Sequence, residues 1–325
     1  MCKIVICDLD HKDIDEETKV LQSVGMTTKW LHCKTQREVI ENCQGAVVLL
    51  NQYVKMDRVI FEALPTVKCI VRYGVGYDSV NLADATEYGV QICNVPDYGT
   101  GEVADHALTH ALNLARKISL QDGLIKKGIW DYRKSIPVFR LSEATVGVFG
   151  VGRIGTSFAQ KIRPLCKEVI AYDTEYGKSG RTFPDFVKFV SFEELLRRSD
   201  IVSVHSPLSE STYHVFNERT FAQMKDTAYL INVSRGGIVD EEALYKALKE
   251  GKIAGAALDV VEKEPLTADN PLLSLENFIV SPHSAWYSLQ SALDMKRKVA
   301  EEAVRFIKGE KVKNPVNNIV KGERR

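Results

Sequence analysis

Short apolar runs alternate with segments of helical spacing along the whole chain. In the first third, residues 3–7, 46–50, 69–72 and 90–93 read as strands, and 16–23 and 36–41 between them as helices. Strand and helix alternating at this rhythm give a parallel sheet with helices on its faces. Ala104, Leu108, Leu112 and Ala115 recur at near-helical spacing and predict a long helix over 102–118. The stretch 119–143, with Trp130, Tyr132 and Pro137, reads as irregular. A second series follows, with strands expected at 145–149, 168–172, 187–190, 201–204, 228–233, 255–258 and 278–280. Asp240 as N-cap, Leu244 and Leu248 four apart, and Gly251 just beyond mark a helix over 241–250. A last helix is expected over 288–308, stopped by Gly309, and the tail after it, with Asn314-Pro315 and a charged end, reads as partly mobile. The fold class is therefore α/β: two doubly wound parallel-sheet domains facing each other across a cleft, a common setting for a small-molecule site.

Composition narrows the possibilities. A chain of 325 residues suits two domains at about 150 residues each. Lys plus Arg and Asp plus Glu each number 43, so there is no net field to hold nucleic acid or an anionic membrane. Hydrophobic residues at 45% and charged residues at 26% exclude broad disorder. The longest apolar runs fall far short of the roughly 18 residues that read as a membrane span. The opening run is broken by Asp8 and Asp10 and is too short for a signal peptide. Seven cysteines (Cys2, Cys7, Cys33, Cys43, Cys69, Cys93 and Cys166), odd in number and without a Cys-x-x-Cys pair, read as buried free thiols in a reducing, cytoplasmic setting. His106 and His110 stand four apart, a spacing that can hold a metal on a helix, but no third ligand accompanies them and a structural role is expected.

Gly150-Val151-Gly152-Arg153-Ile154-Gly155 fits G-x-G-x-x-G, follows an apolar run and opens a helix. A second expected strand then ends at Asp173, 18 residues after Gly155, near the usual spacing of about 20. Gly150 permits the tight turn, Gly152 lets backbone approach a pyrophosphate, and Gly155 allows close helix–strand packing. The helix start offers unpaired N–H groups to phosphates. Asp173 can accept from the adenosine ribose hydroxyls and repels a 2′-phosphate, so NAD is expected rather than NADP.

Three further segments each follow an expected strand, where ligands of open α/β sheets bind. They are Asn232-Val233-Ser234-Arg235-Gly236-Gly237, the run from Asp259 to Pro265 with Glu264, and Ser281-Pro282-His283-Ser284-Ala285-Trp286. A planar guanidinium suits a carboxylate or keto acid. An Arg, an acid and a His are the parts needed to polarise a carbonyl and move a proton.

These motifs, with Arg72-Tyr73-Gly74-Val75-Gly76-Tyr77-Asp78, Asn94-Val95-Pro96 and Val204-His205-Ser206-Pro207-Leu208, give a sequence that resembles the NAD-dependent D-2-hydroxyacid dehydrogenase family across nearly its whole length. Within it, the run 282–288 is most similar to the C-terminal-binding-protein branch of dehydrogenase-fold corepressors. The resemblance implies a flavodoxin-like substrate domain of residues 1–100 plus 286–325 and a Rossmann cofactor domain of 101–285. It implies His283 as general acid–base, Glu264 as its carboxylate partner and Arg235 as the group holding the substrate. Val75 and Gly76 would bind the substrate carboxylate through backbone N–H groups, Arg72 would approach the substrate, and Trp286 would wall its pocket. Asp259 would contact the nicotinamide carboxamide; Ser206, Pro207, Thr212 and Val233 would line the cofactor. It further implies a homodimer formed through the cofactor domain, with 119–143 as an interface arm. Two segments depart from the family pattern: Asp105 stands where Glu is usual, and 97–101 is atypical. The expected function is interconversion of a 2-keto acid and a D-2-hydroxy acid; the alternative is a dinucleotide-sensing, corepressor-like protein with weak turnover.

Overall fold

The computed structural model describes residues 3–178 and 182–319; Cys2 and the charged end of the tail lie outside them. The chain divides into two compact units, Met1–Gly99 with Ser288–Arg325, and Thr100–Tyr287.

The first unit alternates β1 (Ile4–Ile6), α1 (Asp15–Gln22), β2 (Thr28–Trp30), α2 (Gln36–Asn42), β3 (Val48–Asn51), α3 (Arg58–Ala63), β4 (Cys69–Arg72), α4 (Leu82–Glu87) and β5 (Gln91–Cys93). Its five strands are parallel in the order β2-β1-β3-β4-β5, the flavodoxin-like order, which reverses between β1 and β3. β3 is buried at every position, as a strand covered on both faces must be. The short helices start on side-chain caps: Thr35, Asp57 and Asn81 each accept a first-turn amide. Asp8, just past β1, accepts from the amides of Gln52 and Val54 at 3.0 and 2.6 Å and from the Asn51 side chain at 3.0 Å. That buried carboxylate ties the end of β1 to the turn after β3, at the reversal point.

The second unit begins with α5 (Thr100–Arg116) and α6 (Ile118–Lys126). It continues through β6 (Thr145–Phe149), α7 (Arg153–Ile162), β7 (Glu168–Tyr172), β8 (Val187–Phe189), α8 (Phe192–Arg198), β9 (Ile201–Val204), α9 (Glu218–Phe221), β10 (Tyr229–Asn232), α10 (Glu241–Lys249), β11 (Gly255–Leu258) and β12 (Phe278–Val280). Its seven strands are parallel in the order β12-β11-β10-β9-β6-β7-β8. Counted from β6, this is the Rossmann order with one added edge strand, and it reverses between β6 and β9. Two apolar clusters fill its faces, one around Phe158 and Val148, the other around Phe216 and Leu230. Asp105, where Glu was the family pattern, pairs with Lys161 at 2.5 Å and so ties α5 to α7.

The chain returns to the first unit through α11 (Leu289–Ile307), started by a Ser288–Ser291 capping box. Lys296 of α11 is buried against α1 and holds Asp13 at 2.7 Å.

Three expectations are corrected. Residues 119–143 are not irregular throughout: Lys117, in the left-handed region at φ 53°, ends α5 and α6 begins at once. None of α6 is fully buried: Leu120 and Leu124 are half-buried over a cavity shared with Leu114 and Tyr229, while Ile118 and Ile125 are exposed, so its inward face is weak. β2 was missed because it is a three-residue, half-exposed edge strand. The described part of the tail, expected to be partly mobile, is tied to β5: Pro315 bridges Cys93, the Val316 amide donates to the Ile92 carbonyl at 2.8 Å, and the Asn317 side chain accepts from the Ile92 amide. These contacts cover the open edge of β5.

Candidate active site

The glycine turn lies where the second sheet reverses. Gly150 has φ 90°, and a Cβ there would stand 2.8 Å from the Ser206 amide nitrogen. A side chain at Gly155 would collide with the Gly150 carbonyl. Gly152 is the N-cap of α7 and has no side chain to satisfy the first-turn amides of Arg153 and Ile154. An open depression of about 730 Å³ lies over that turn, lined by Gly152, Arg153, Thr156 and Ser157 among others. The Asp173 carboxylate accepts from the Val151 amide at 2.7 Å and the Glu175 amide at 2.8 Å, which fixes negative charge at the rim of the turn. This cradle, too tight for a Cβ at Gly150 and Gly155 and ending on open amides, fits a dinucleotide pyrophosphate with an acid for the ribose. Ser206 and Pro207 follow β9 beside Gly150. The Thr212 hydroxyl is committed to their loop, donating to the Pro207 carbonyl at 2.8 Å and accepting from the Ser209 amide at 2.7 Å. Val233 is buried beyond β10.

The three chemistry-bearing side chains come together within the second unit. His283 Nδ1 lies 2.7 Å from Glu264 Oε2. The other oxygen of Glu264 accepts from the Val261 amide at 3.3 Å. Burial acts to raise the Glu264 pKa; the hydrogen bond and charge of His283, the Val261 amide and the Arg235 guanidinium outweigh it and hold the carboxyl below its ordinary value. Arg235 is held by its loop: Asn232, fully buried, donates to the Arg235 carbonyl at 2.9 Å and accepts from the Ser234 amide at 3.0 Å. Gly236 must be glycine because a Cβ would run into the backbone of Val261, which brings the Arg235 loop directly onto the Glu264 loop. His283 has φ 52°, and its amide donates to the Asp259 carbonyl at 2.8 Å. Asp259, almost fully buried, accepts from Ser281 Oγ at 2.6 Å and from the amides of Ser284 and Ala285 at 3.0 and 2.9 Å. Trp286 is half-buried and packs on the α5 side of the core.

In the first unit, Arg72 ends β4 and its guanidinium lies over Gly74, at φ 117°, where any Cβ would strike it. Tyr98, from the atypical 97–101 segment, brings its hydroxyl to the same place. The Val75 carbonyl is held by Asn94 Nδ2 at 2.6 Å. Among the described residues, the amides of Val75 and Gly76 donate to no acceptor. Sequence reading missed Asp8, Asn232, Gly236 and Ser281 as positioning groups; only Asn232, two residues before a serine and three before Arg235, carried a local turn signal.

The family profile described as D-isomer specific 2-hydroxyacid dehydrogenase, NAD binding domain, matches residues 108–285. A glyoxylate reductase of Korarchaeum cryptofilum is 38% identical over 291 residues, covering 87% of this chain and 85% of its own. A D-3-phosphoglycerate dehydrogenase of Archaeoglobus fulgidus is 40% identical over 272 residues, 84% of this chain but 51% of that protein, so the chain spans about half of its length. Among solved structures, a D-lactate dehydrogenase from Aquifex aeolicus, complexed with NAD and lactic acid, matches with a TM-score of 0.87 at 26% identity, covering 98% of this chain and all of that one. The chain belongs to the D-isomer specific 2-hydroxyacid dehydrogenase family. Its second unit is the NAD-binding domain, and NAD is the cofactor.

Proposed function

We propose that the protein reduces a small 2-keto acid to the D-2-hydroxy acid, reversibly, with His283 as proton donor, Glu264 as its partner and Arg235 as the substrate-orienting group. The observation that carries this reading is the 2.7 Å His283–Glu264 contact beside Arg235, in the unit that binds NAD. NADH, when bound, supplies the hydride to the carbonyl carbon. Arg235 pairs with the substrate carboxylate and stabilises charge growing on the carbonyl oxygen. His283, protonated, gives its Nε2 proton to that oxygen and leaves as neutral imidazole, to be reprotonated from solvent. Glu264, whose own carboxyl is held below its ordinary value, keeps the ring oriented. The open amides of Val75 and Gly76, with Arg72 beside them, make a turn suited to a carboxylate. Asp259 Oδ2 accepts one bond within the chain, from Ala285, and has capacity for a carboxamide N–H as well. Gly150, Gly152, Arg153, Ile154 and Gly155 would hold the pyrophosphate, Asp173 the ribose, and Ser206, Pro207, Thr212 and Val233 the surrounding wall.

Asp173 at the rim of the turn supports NADH over NADPH. Buried free thiols at the six described cysteines support a cytoplasmic setting. Exposed apolar side chains along 118–139 support a homodimer formed through the second unit: Ile118, Trp130, Tyr132, Ile136 and Phe139 are all more than half exposed. A corepressor-like role with weak turnover is the second reading, supported by the run 282–288.

The test is a screen of glyoxylate, pyruvate, hydroxypyruvate and longer 2-keto acids, followed by NADH absorbance. At least one acid should be reduced with kcat on the order of 1 s⁻¹ or faster, and NADPH should serve less well. Tight NADH binding with no acid turned over at that rate would favour the second reading.

A further inference from the structure

We propose that His106 and His110 are positioning residues, which through Ser281 fix Asp259 and the backbone that carries His283. The proposal rests on His283 acting as the proton donor. Ser281 Oγ lies 2.8 Å from His106 Nε2 and 3.3 Å from His110 Nε2, and it donates to Asp259 Oδ1 at 2.6 Å. A hydroxyl has one proton and two acceptor positions. With its proton directed at the carboxylate, Ser281 can only accept from the rings, so both histidines present Nε2–H. Their spacing on α5 stacks them on one face, edge to face with centroids 4.6 Å apart. Burial, with His106 as a second cause, pushes the His110 pKa down to about 4, so this ring stays neutral and keeps a defined tautomer.

Asp259 is the hub through which this reaches the chemistry. Its carboxylate takes the amides of Ser284 and Ala285, and its carbonyl takes the amide of His283. Every residue from 283 to 285 thus hangs on one side chain and its own backbone. His283 sits in the left-handed region, which is strained for a non-glycine residue and persists only where the surroundings over-determine it. The Ser281 hydroxyl and two helix-borne imidazoles provide that restraint. Simple packing of α5 against the sheet requires no such network. A half-satisfied buried hydroxyl is costly, so the engagement of the Ser281 proton and both its acceptor positions speaks for a demand on geometry.

The test compares the full-length protein with Ser281→Ala, Ser281→Thr, His106→Gln and His110→Leu. Isotope-edited NMR of labelled histidine, recorded without substrate, should show Nε2–H tautomers for His106 and His110 in the parent. In Ser281→Ala those protons should lose their hydrogen-bonded shifts, and the His283 Nδ1–H signal should broaden. In keto-acid reduction, Ser281→Ala should lower kcat roughly tenfold to a hundredfold, the scale of a small misplacement of reacting groups, with keto-acid KM and NADH affinity little changed. Ser281→Thr restores the hydroxyl and should recover most of the loss. His106→Gln keeps a donor and should fall less than His110→Leu. Unchanged kcat in Ser281→Ala, unaltered His283 resonances, or a threonine variant that binds NADH yet stays as slow as alanine would overturn the proposal. A parent protein that reduces no keto acid would instead defeat the assigned reaction, while the histidine spectra would still decide the network.

Discussion

Glu17 lies wholly inside the first unit, where Oε1 accepts from the Tyr73 hydroxyl at 2.9 Å and Oε2 meets no donor. Burial raises its pKa; the Tyr73 bond and the Lys296 charge oppose this without cancelling it. The folded state therefore holds the proton more tightly than the unfolded chain. The stability this gives is full below the ordinary Glu pKa and is lost as pH rises through the raised folded value. Glu17→Gln keeps an acceptor for Tyr73 and removes the charge. It should raise stability at neutral pH by about 1 kcal/mol, the scale of one unsatisfied buried polar group, and leave it unchanged or lower at acid pH. Urea unfolding of both proteins from pH 4 to pH 8 checks this; a parent–variant difference that does not change with pH would contradict it. Gly150, Gly155 and Asp173 stood out in the sequence because they fall into one compact spacing pattern, although Gly150 is required by the distant Ser206. Residues outside such a pattern, whose partners come from far along the chain, were not legible. Asp8 takes its donors from residues 51–54, Gly236 is required by Val261, and Ser281 meets histidines of α5.

Among the elements, buried strands announce themselves because both faces are covered and the apolar run is continuous; β6, β7, β9 and β11 fall where the pattern put them, as does the half-buried edge strand β12. Short helices such as α3 and α4 escaped notice because six residues give too little periodicity, and their capping side chains were the better signal. α6 was misread for a different reason, while the stretch after it is irregular as expected. In α6, Ile118 and Ile125 point outward and Leu120 and Leu124 are only half-buried, so a rule tuned to one chain's own core finds a weak face, and Trp130, Tyr132, Ile136 and Phe139 beyond it are exposed as well. If a second copy covers them, Trp130→Asp combined with Ile136→Asp should weaken dimerisation by at least about thirtyfold, the equivalent of one 2 kcal/mol hot spot. Sedimentation velocity at micromolar concentration reads this directly. A parent that sediments as a monomer would contradict the assembly.

For the molecule as a whole, each unit gathers its polar groups at the carboxyl ends of its own parallel sheet. The glycine turn after β6 and Asp8 after β1 stand where the strand order reverses, whereas Arg72 follows β4 and Arg235, Glu264 and His283 follow β10, β11 and β12. The first unit presents a turn with two open amides and an arginine beside it, the second the glycine cradle of the NAD-binding domain and a hydrogen-bonded His283–Glu264 pair. The central claim is that His283 moves the proton and Glu264 sets how readily it does so. The most direct test is the pH dependence of keto-acid reduction by NADH in the parent, His283→Ala and Glu264→Gln. His283→Ala should lose roughly 10²–10⁴ in kcat, the usual contribution of general acid–base catalysis, with NADH binding retained. Glu264→Gln keeps an acceptor for the ring but removes the charge beside it, so kcat should fall by roughly tenfold or more with NADH binding retained. Because the Glu264 carboxyl is held below its ordinary value, the parent's advantage over Glu264→Gln should persist as pH falls through the ordinary glutamate range. Near-parent turnover in His283→Ala, or in Glu264→Gln, would contradict the account.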